Sequence, residues 1–243
     1  MQPTGSVVRA KVVTAFVPIE GMLHFKPEVY HDYADRMERA AGPGRFRRFN
    51  PYPLENCWLY KWLDSKGWLD LPPATAVASD RYPTAMHFQR SNIVQHERTN
   101  WLCQAAAEDS AVDVLIWLDY AILKQGHSWP GHPGVEERHI TEFLDKIEAS
   151  NFYDIPFPGI WPKGPIDDAG DNWRFCGSTH IIRRAWLHTV DFFYKSECRK
   201  FIERTKTIPL DLPIWAGLEL HSSIPFRFYA ANHDATQLTE FPG

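Results

Sequence analysis

The residue of this chain best placed to do chemistry is Asp119. It follows Val112, Val114, Leu115, Ile116, Trp117 and Leu118, an apolar run of the kind that forms a strand buried on both faces of a parallel sheet. A charge at the C-terminal tip of such a strand is costly unless paired. In open α/β sheets ligands bind in the crevice beyond the strands' carboxyl ends, so Asp119 is a candidate metal or substrate contact. The alternative is an Asp that caps the following turn. His127, His132 and His139, with Glu136 and Glu137 nearby, raise a second chemistry, that of a metal-dependent hydrolase built on a His/Asp cluster. No HExxH or HxH spacing occurs among them, and a Gly/Pro loop does not define a coordination geometry. The patterns GxxxxGK[ST] and GxGxxG are absent, which removes the phosphate-loop and hydride-transfer readings. Arg45, Arg47 and Arg48 form either a solvated face or a phosphate contact.

The remainder of the chain must hold these groups in place, and its composition permits that. Its 243 residues are 44% hydrophobic and 23% charged, the balance of an ordinary globular protein. The length suits one large domain with insertions. Aromatic residues reach 14%, with 10 Trp, which suits stacking on sugars or bases, although core filling explains most of them. A formal net charge of −4 argues against a broad nucleic-acid-binding surface. Cys57, Cys103, Cys176 and Cys198 show no CxxC pair, so neither a zinc knuckle nor a disulfide framework is written. A reduced, cytoplasmic setting is the simplest inference. No leader pattern and no apolar stretch approaching ~18 residues is present, so a soluble protein without a transmembrane segment is expected.

The positioning elements follow from local patterns. VVTAFV, within 7–19, predicts a first strand ended by Pro18. Pro27 opens a helix to about Ala41, with Val29, Tyr33 and Met37 on one face and a Gly-Pro-Gly stop at 42–44. The segment 45–71 is ambiguous, and Trp58, Leu59, Tyr60 and Trp62 read as a short strand or an amphipathic wall. Thr75–Ser79 is strand-compatible and is followed by a turn at 80–83. One long helix is predicted from His87 to Asp109, with Phe88, Ser91, Gln95, Arg98, Leu102, Ala105 and Ala106 near one face. It leads into the strand that ends at Asp119, the grammar of a βαβ unit. A loop at 126–134 over the sheet's carboxyl edge precedes an amphipathic helix, Val135–Ala149. A second Pro/Gly/Trp-rich loop covers 155–173 and reads as the wall of an acceptor pocket. Then come a strand at Trp173–Arg183, where Gly177 permits a close backbone approach, and a helix at Arg184–Lys206. Asp211 is a plausible N-cap for a short helix through Leu220, and a late strand, Pro225–Ala230, precedes Asn232, His233 and Asp234.

Taken together, the strand VVTAF, the helix feeding LIWLD, the Gly-bearing FCGS and HIIRRAW with their helix, the Asp211 helix and the strand ending near YAANHD resemble the nucleotide-sugar glycosyltransferases of the GT-A fold. The resemblance runs from about Val7 to Asp234 at the level of superfamily. It implies an α/β chain with a GT-A-like (Rossmann-like), mostly parallel central sheet flanked by helices, and long Pro/Gly/Trp-rich loops. It implies a single domain over 1–243, its donor-binding half about 1–125 and its acceptor half about 126–243. The activity implied is transfer of a sugar from a nucleotide-diphosphate donor to a carbohydrate or other hydroxyl acceptor. In such enzymes an Asp-x-Asp motif at the central strand's tip holds a divalent metal, Mn²⁺ or Mg²⁺, on the donor's phosphates. Asp119 matches the first position and Ala121 stands at the second, which leaves open both metal dependence and a catalytically inactive carbohydrate-binding relative. By the same resemblance His233 or Asp234 completes the metal shell. Thr14, Ala15 and Phe16 line the nucleotide base, and Arg81 and Arg90 meet phosphate or sugar hydroxyls. Asp211 takes the acceptor's proton, with Glu219 in reserve.

Overall fold

The computed structural model describes residues 8–19, 27–74, 84–125, 131–161 and 174–243. In chain order its elements are β1 (Ala10–Ala15), α1 (Pro27–Ala41), β2 (Phe46–Phe49), α2 (Trp58–Lys66), α3 (Ala85–Gln95), α4 (Arg98–Glu108), β3 (Val114–Leu118), α5 (Glu137–Ala149), β4 (Ile155–Gly159), β5 (Thr179–Arg183), α6 (Arg184–Thr205), α7 (Asp211–His221), β6 (Phe226–Ala230) and α8 (Thr236–Thr239). Short 3₁₀ turns occupy Leu54–Asn56 and Ile122–Lys124.

The β-branched runs pair first. β1 lies between β2 and β3 and is parallel to both, and β5 adds to β3 antiparallel, which gives the order β2-β1-β3-β5. A separate parallel pair joins β4 to β6. Alternation along the strands divides the core. Val13 and Ala15 of β1, Leu115 and Trp117 of β3 and Ile182 of β5 pack with α2, α4, α6 and α7. Val12, Val114, Ile116 and Ile181 point the other way, onto α1 and α5. All five residues of β3 are buried, as a strand covered by helices on both faces requires. The fold is thus α/β, with a mostly parallel central sheet between two helical layers. Among the described residues no helix is long and apolar enough to cross a membrane, and the four cysteines are free.

Several elements differ from the sequence reading, each for a local reason. The single helix expected over 87–109 is two, α3 and α4, because at Glu97 the backbone N–H bonds back three residues to Val94 rather than four. The break frees the Glu97 carboxylate to accept Trp58 N–H at 2.6 Å. That contact seats the first turn of α2, so Trp58–Trp62 is helical and not a strand. Phe46–Phe49 is the edge strand β2, and its arginines are used on the surface: Arg47 grips Glu108 at 2.6 and 2.8 Å and Arg48 reaches Asp35 at 2.6 Å. Arg45 reaches Glu148 at 3.2 Å and Asp145 at 3.4 Å, so each arginine of the cluster is paired with acids. The first residues of the expected loop 155–173 form β4, while 162–173 lie outside the described residues, as do 75–83 and 126–130. The helix α5 begins at Glu137, because Glu136 and His139 close a reciprocal capping box ahead of it. Asp211 is not the N-cap of α7; Leu210 holds that place without a side-chain cap, and Asp211 turns elsewhere.

Candidate functional site

β3 delivers Asp119 to the sheet's carboxyl edge, beside the end of β1. Its backbone N–H is tied to Ser178 O at 3.0 Å, which extends the β3–β5 ladder by one bond. Its side chain is 32% exposed. Both donors that reach it converge on Oδ1, Trp117 Nε1 at 2.8 Å and Arg98 Nη2 at 3.1 Å. Oδ2 receives no hydrogen bond from a described residue. The carboxylate is therefore oriented from behind and open in front.

The orienting cation is Arg98, from the first turn of α4. It is buried, and it bridges Asp119 on one side and Asp211 on the other. The second partner is deeper, only 3% exposed. Burial pushes the Asp211 carboxyl up to about 6 against the pull of Arg98. Gly177 makes room for this pair: a Cβ there would stand 3.0 Å from both Arg98 Nη1 and Asp211 Oδ2. Nearby His180, packed against Phe157 and Trp215 at ring distances of 4.9 and 4.7 Å, is kept neutral by burial and by the Arg98 charge. The triad carries two carboxylates on one guanidinium, so it is one charge short of neutral.

In front of Asp119 lies a cleft of about 280 Å³. The end of β1 supplies Ala15 and Phe16, α3 supplies Ser91 and Gln95, and Arg98, Trp101, Trp117 and Tyr120 complete its other side with Tyr30. Its walls are rings in mutual contact. Trp101 and Trp117 stack at 5.2 Å and 12°, while Phe16 meets Tyr30 at 5.6 Å and Tyr120 at 5.2 Å. Such faces bind flat or partly apolar groups, and the exposed carboxylate oxygen selects cations or hydroxyls.

The sequence candidates separate in this frame. Asp119, Ala15 and Phe16 meet at the cleft. Thr14 does not: its side chain is fully buried and takes no part in the cleft lining. Arg90 lies on α3 beside the cleft wall rather than in it, and Arg81 lies outside the described residues. Asp211 stands behind the site with Arg98, and Glu219 is taken by Arg174 through two bonds of 3.0 and 2.8 Å. Burial lowers the His233 pKa, while the nearby Asp119 charge opposes that shift. Among the described residues the hydrolase cluster does not assemble. His139 serves the α5 cap, Glu137 pairs with Arg36 at 2.6 Å and His132 faces Asp234, while His127 lies outside the described residues. No three His, Cys, Asp or Glu side chains gather as a metal shell among those residues. The residue overlooked by sequence reasoning is Arg98. Its signal was an Arg on the same helical face as Leu102 and Ala105, a place where a guanidinium needs a carboxylate partner.

No protein-family model matches the chain, and no curated protein does. Among solved structures it is similar to a glycosyltransferase involved in the glycosylation of the major capsid of PBCV-1, with 10% sequence identity and a TM-score of 0.47 over 91% of this chain and 81% of that one. At that level of likeness no site residue transfers between the two chains.

Proposed function

We propose that the chain is a glycosyltransferase using a nucleoside diphosphate sugar, with the nucleoside in the aromatic cleft and the diphosphate at Asp119. The observation that carries this reading is the meeting, at one strand tip, of a carboxylate with an open oxygen, a buried guanidinium behind it and ring faces in front. Phe16, Tyr30 and Tyr120 offer stacking surfaces, and base–aromatic stacking contributes about 1–3 kcal/mol per base. A cleft of about 280 Å³ is at the small end of the roughly 300–1,000 Å³ usual for ligands. It holds a nucleoside and leaves the sugar beyond its rim.

Charge decides the rest. A triad with a surplus negative charge does not attract a diphosphate unaided. Asp119 is the residue that would hold a hard divalent cation such as Mg²⁺ or Mn²⁺. Such an ion would neutralise the charge that builds on the departing diphosphate. Arg98 and Trp117 keep Asp119 aimed, and the rings exclude water from the nucleoside. The acceptor is a hydroxyl compound.

The test is thermal unfolding of the full chain with UDP, GDP, CDP and their sugar derivatives, each with and without Mn²⁺. A nucleoside diphosphate at a hundred times its Kd stabilises the native state by about 2.7 kcal/mol, and Asp119→Asn should abolish the Mn²⁺-dependent part of that gain. The absence of stabilisation by every nucleotide, with or without Mn²⁺, would overturn the reading. Stabilisation by Mn²⁺ alone, indifferent to nucleotide, would favour a hydrolase.

A further inference from the structure

The cleft in front of Asp119 has one wall of rings and one that carries neutral polar groups, and stacking gives the second no task. Ser91 and Gln95 stand four residues apart on α3, and both line the cleft. That spacing is close to one helical turn, about 6 Å along the axis, so the two side chains lie one above the other on a single face. Arg98 follows at the start of α4 and reaches Asp119. Gln95 therefore stands next out from the diphosphate end, and Ser91 one turn beyond it.

The core-facing amides of α3 are already engaged. Gln89, 7% exposed, gives Nε2 to Leu69 O and Leu71 O, both at 2.6 Å, and Asn92 turns Nδ2 toward Ile208 O at 3.5 Å. Gln95 and Ser91 are half-buried, and neither side chain makes a hydrogen bond to a described residue. An amide with donor and acceptor both open is satisfied by a ligand edge that offers the complementary pair. Ring faces do not choose among bases, because every base has a π-face. Choice falls to hydrogen bonds in the plane of the base. The charged groups of the cleft are committed elsewhere, Arg98 to two carboxylates and Asp119 to the diphosphate. A cleft of about 280 Å³, below the roughly 300–1,000 Å³ usual for ligands, favours a base of one ring over a fused pair.

We infer that Gln95 sets donor specificity by reading the hydrogen-bonding edge of a pyrimidine base. The inference rests on the glycosyltransferase reading. With uracil, Gln95 Oε1 accepts from N3–H while Nε2 donates to the neighbouring O4. With cytosine the amide turns over, Nε2 donating to N3 and Oε1 accepting from the amino group. Either base keeps a second carbonyl, O2, on the far side of N3 for the Ser91 hydroxyl. Gln95 thus meets the base and not the reacting carbon, and its effect falls on donor affinity.

The experiment measures Kd by calorimetry, with Mn²⁺ present, for UDP, CDP, GDP, ADP and N3-methyl-UDP. The proteins are the wild type and Gln95→Leu, which keeps a similar volume and removes both hydrogen-bonding groups. A net hydrogen bond is worth about two- to tenfold in a binding constant, so a pair is worth roughly 5- to 100-fold. The wild type should bind UDP and CDP at least about fivefold more tightly than N3-methyl-UDP, GDP or ADP. Gln95→Leu should lose roughly 5- to 100-fold for UDP and CDP, and almost nothing for N3-methyl-UDP. Equal wild-type affinity for UDP and N3-methyl-UDP overturns the assignment without recourse to a variant. A loss in Gln95→Leu of the same size for both ligands also overturns it, since the side chain would then serve the ribose or the phosphates. GDP or ADP bound by the wild type as tightly as UDP removes the limit to one ring and overturns the pyrimidine choice. Through each of these failures, wild-type binding of a nucleoside diphosphate leaves the transferase reading standing. A wild type that binds none of the five ligands brings down that reading, and this inference with it.

Discussion

Replacing Arg98 by Met would remove the cation that lies between two carboxylates, and the cost can be worked from burial. Taking one partner from a buried ion pair typically destabilises by about 3–5 kcal/mol, because the other charge is stranded. Asp211, 3% exposed, is the charge left behind, but it can take up a proton. With Arg98 present, burial already pushes its carboxyl up to about 6; without Arg98 it must climb further. A carboxyl whose folded pKa exceeds its unfolded value contributes stability that is complete below the unfolded pKa and is lost as pH rises through the folded one. The wild type stops losing stability from this group near pH 6, whereas the variant continues. The penalty for Arg98→Met should therefore grow by roughly 1.4 kcal/mol for each pH unit above 6, adding between roughly 2 and 3 kcal/mol by pH 8. Urea denaturation of wild type, Arg98→Met, Asp211→Asn and the double variant at pH 6 and 8 measures this directly. The double variant should recover stability at pH 8, with a coupling energy of at least about 2 kcal/mol. A penalty equal at the two pH values, or strictly additive single effects, would refute the account of the triad.

Two further outcomes are expected. Glu97 is wholly buried, and burial pushes its carboxyl up to about 7, so its contribution is complete below about pH 4.5 and fades as pH rises through 7, by about 3 kcal/mol in all. Glu97→Gln should remove that slope from the Tm recorded between pH 5 and 8, and parallel curves for the two proteins would contradict it. A Cβ on Gly159 would sit 1.7 Å from Arg174 O, so Gly159→Ala must displace backbone and should cost roughly 3 kcal/mol or more. A urea midpoint matching the wild type would show that β4 has more room than its packing implies.

What the sequence made legible was whatever a regular pattern encodes. VVTA, VLIWL and the stripe of α5 stand where their periodicities place them, whereas the buried face of α1 is Ala34, Met37 and Ala41 with Val29 exposed, and Phe193 leaves the otherwise buried stripe of α6; Asp119 stands at its strand tip because the apolar run ends there. Short-range patterns could not reveal partners distant in the chain. Arg98 finds Asp211 across 113 positions, and Glu97 caps α2 across 39, so the break between α3 and α4 follows from tertiary contacts and not from a helix-stopping residue. Asp211 looked like a cap because Asp is a good cap. Burial beside a guanidinium overrode that local preference. The Arg cluster at 45–48 was ambiguous for a similar reason, since its role is revealed only when the acids of α1, α4 and α5 come alongside.

The reversed direction of β5 has a consequence for how the site was furnished. In a sheet running all one way, the chain always departs at the carboxyl edge, and only the segment after a strand can be placed there. Because β5 runs against its neighbour, Thr179 faces Leu118 and the chain enters at that edge. Segments upstream of a strand thereby join segments downstream of two others around the same acid. A substitution between 174 and 178 is therefore felt at Asp119 although some sixty residues lie between them in the chain, whereas the far end of β5, at Arg183, can vary without touching the site.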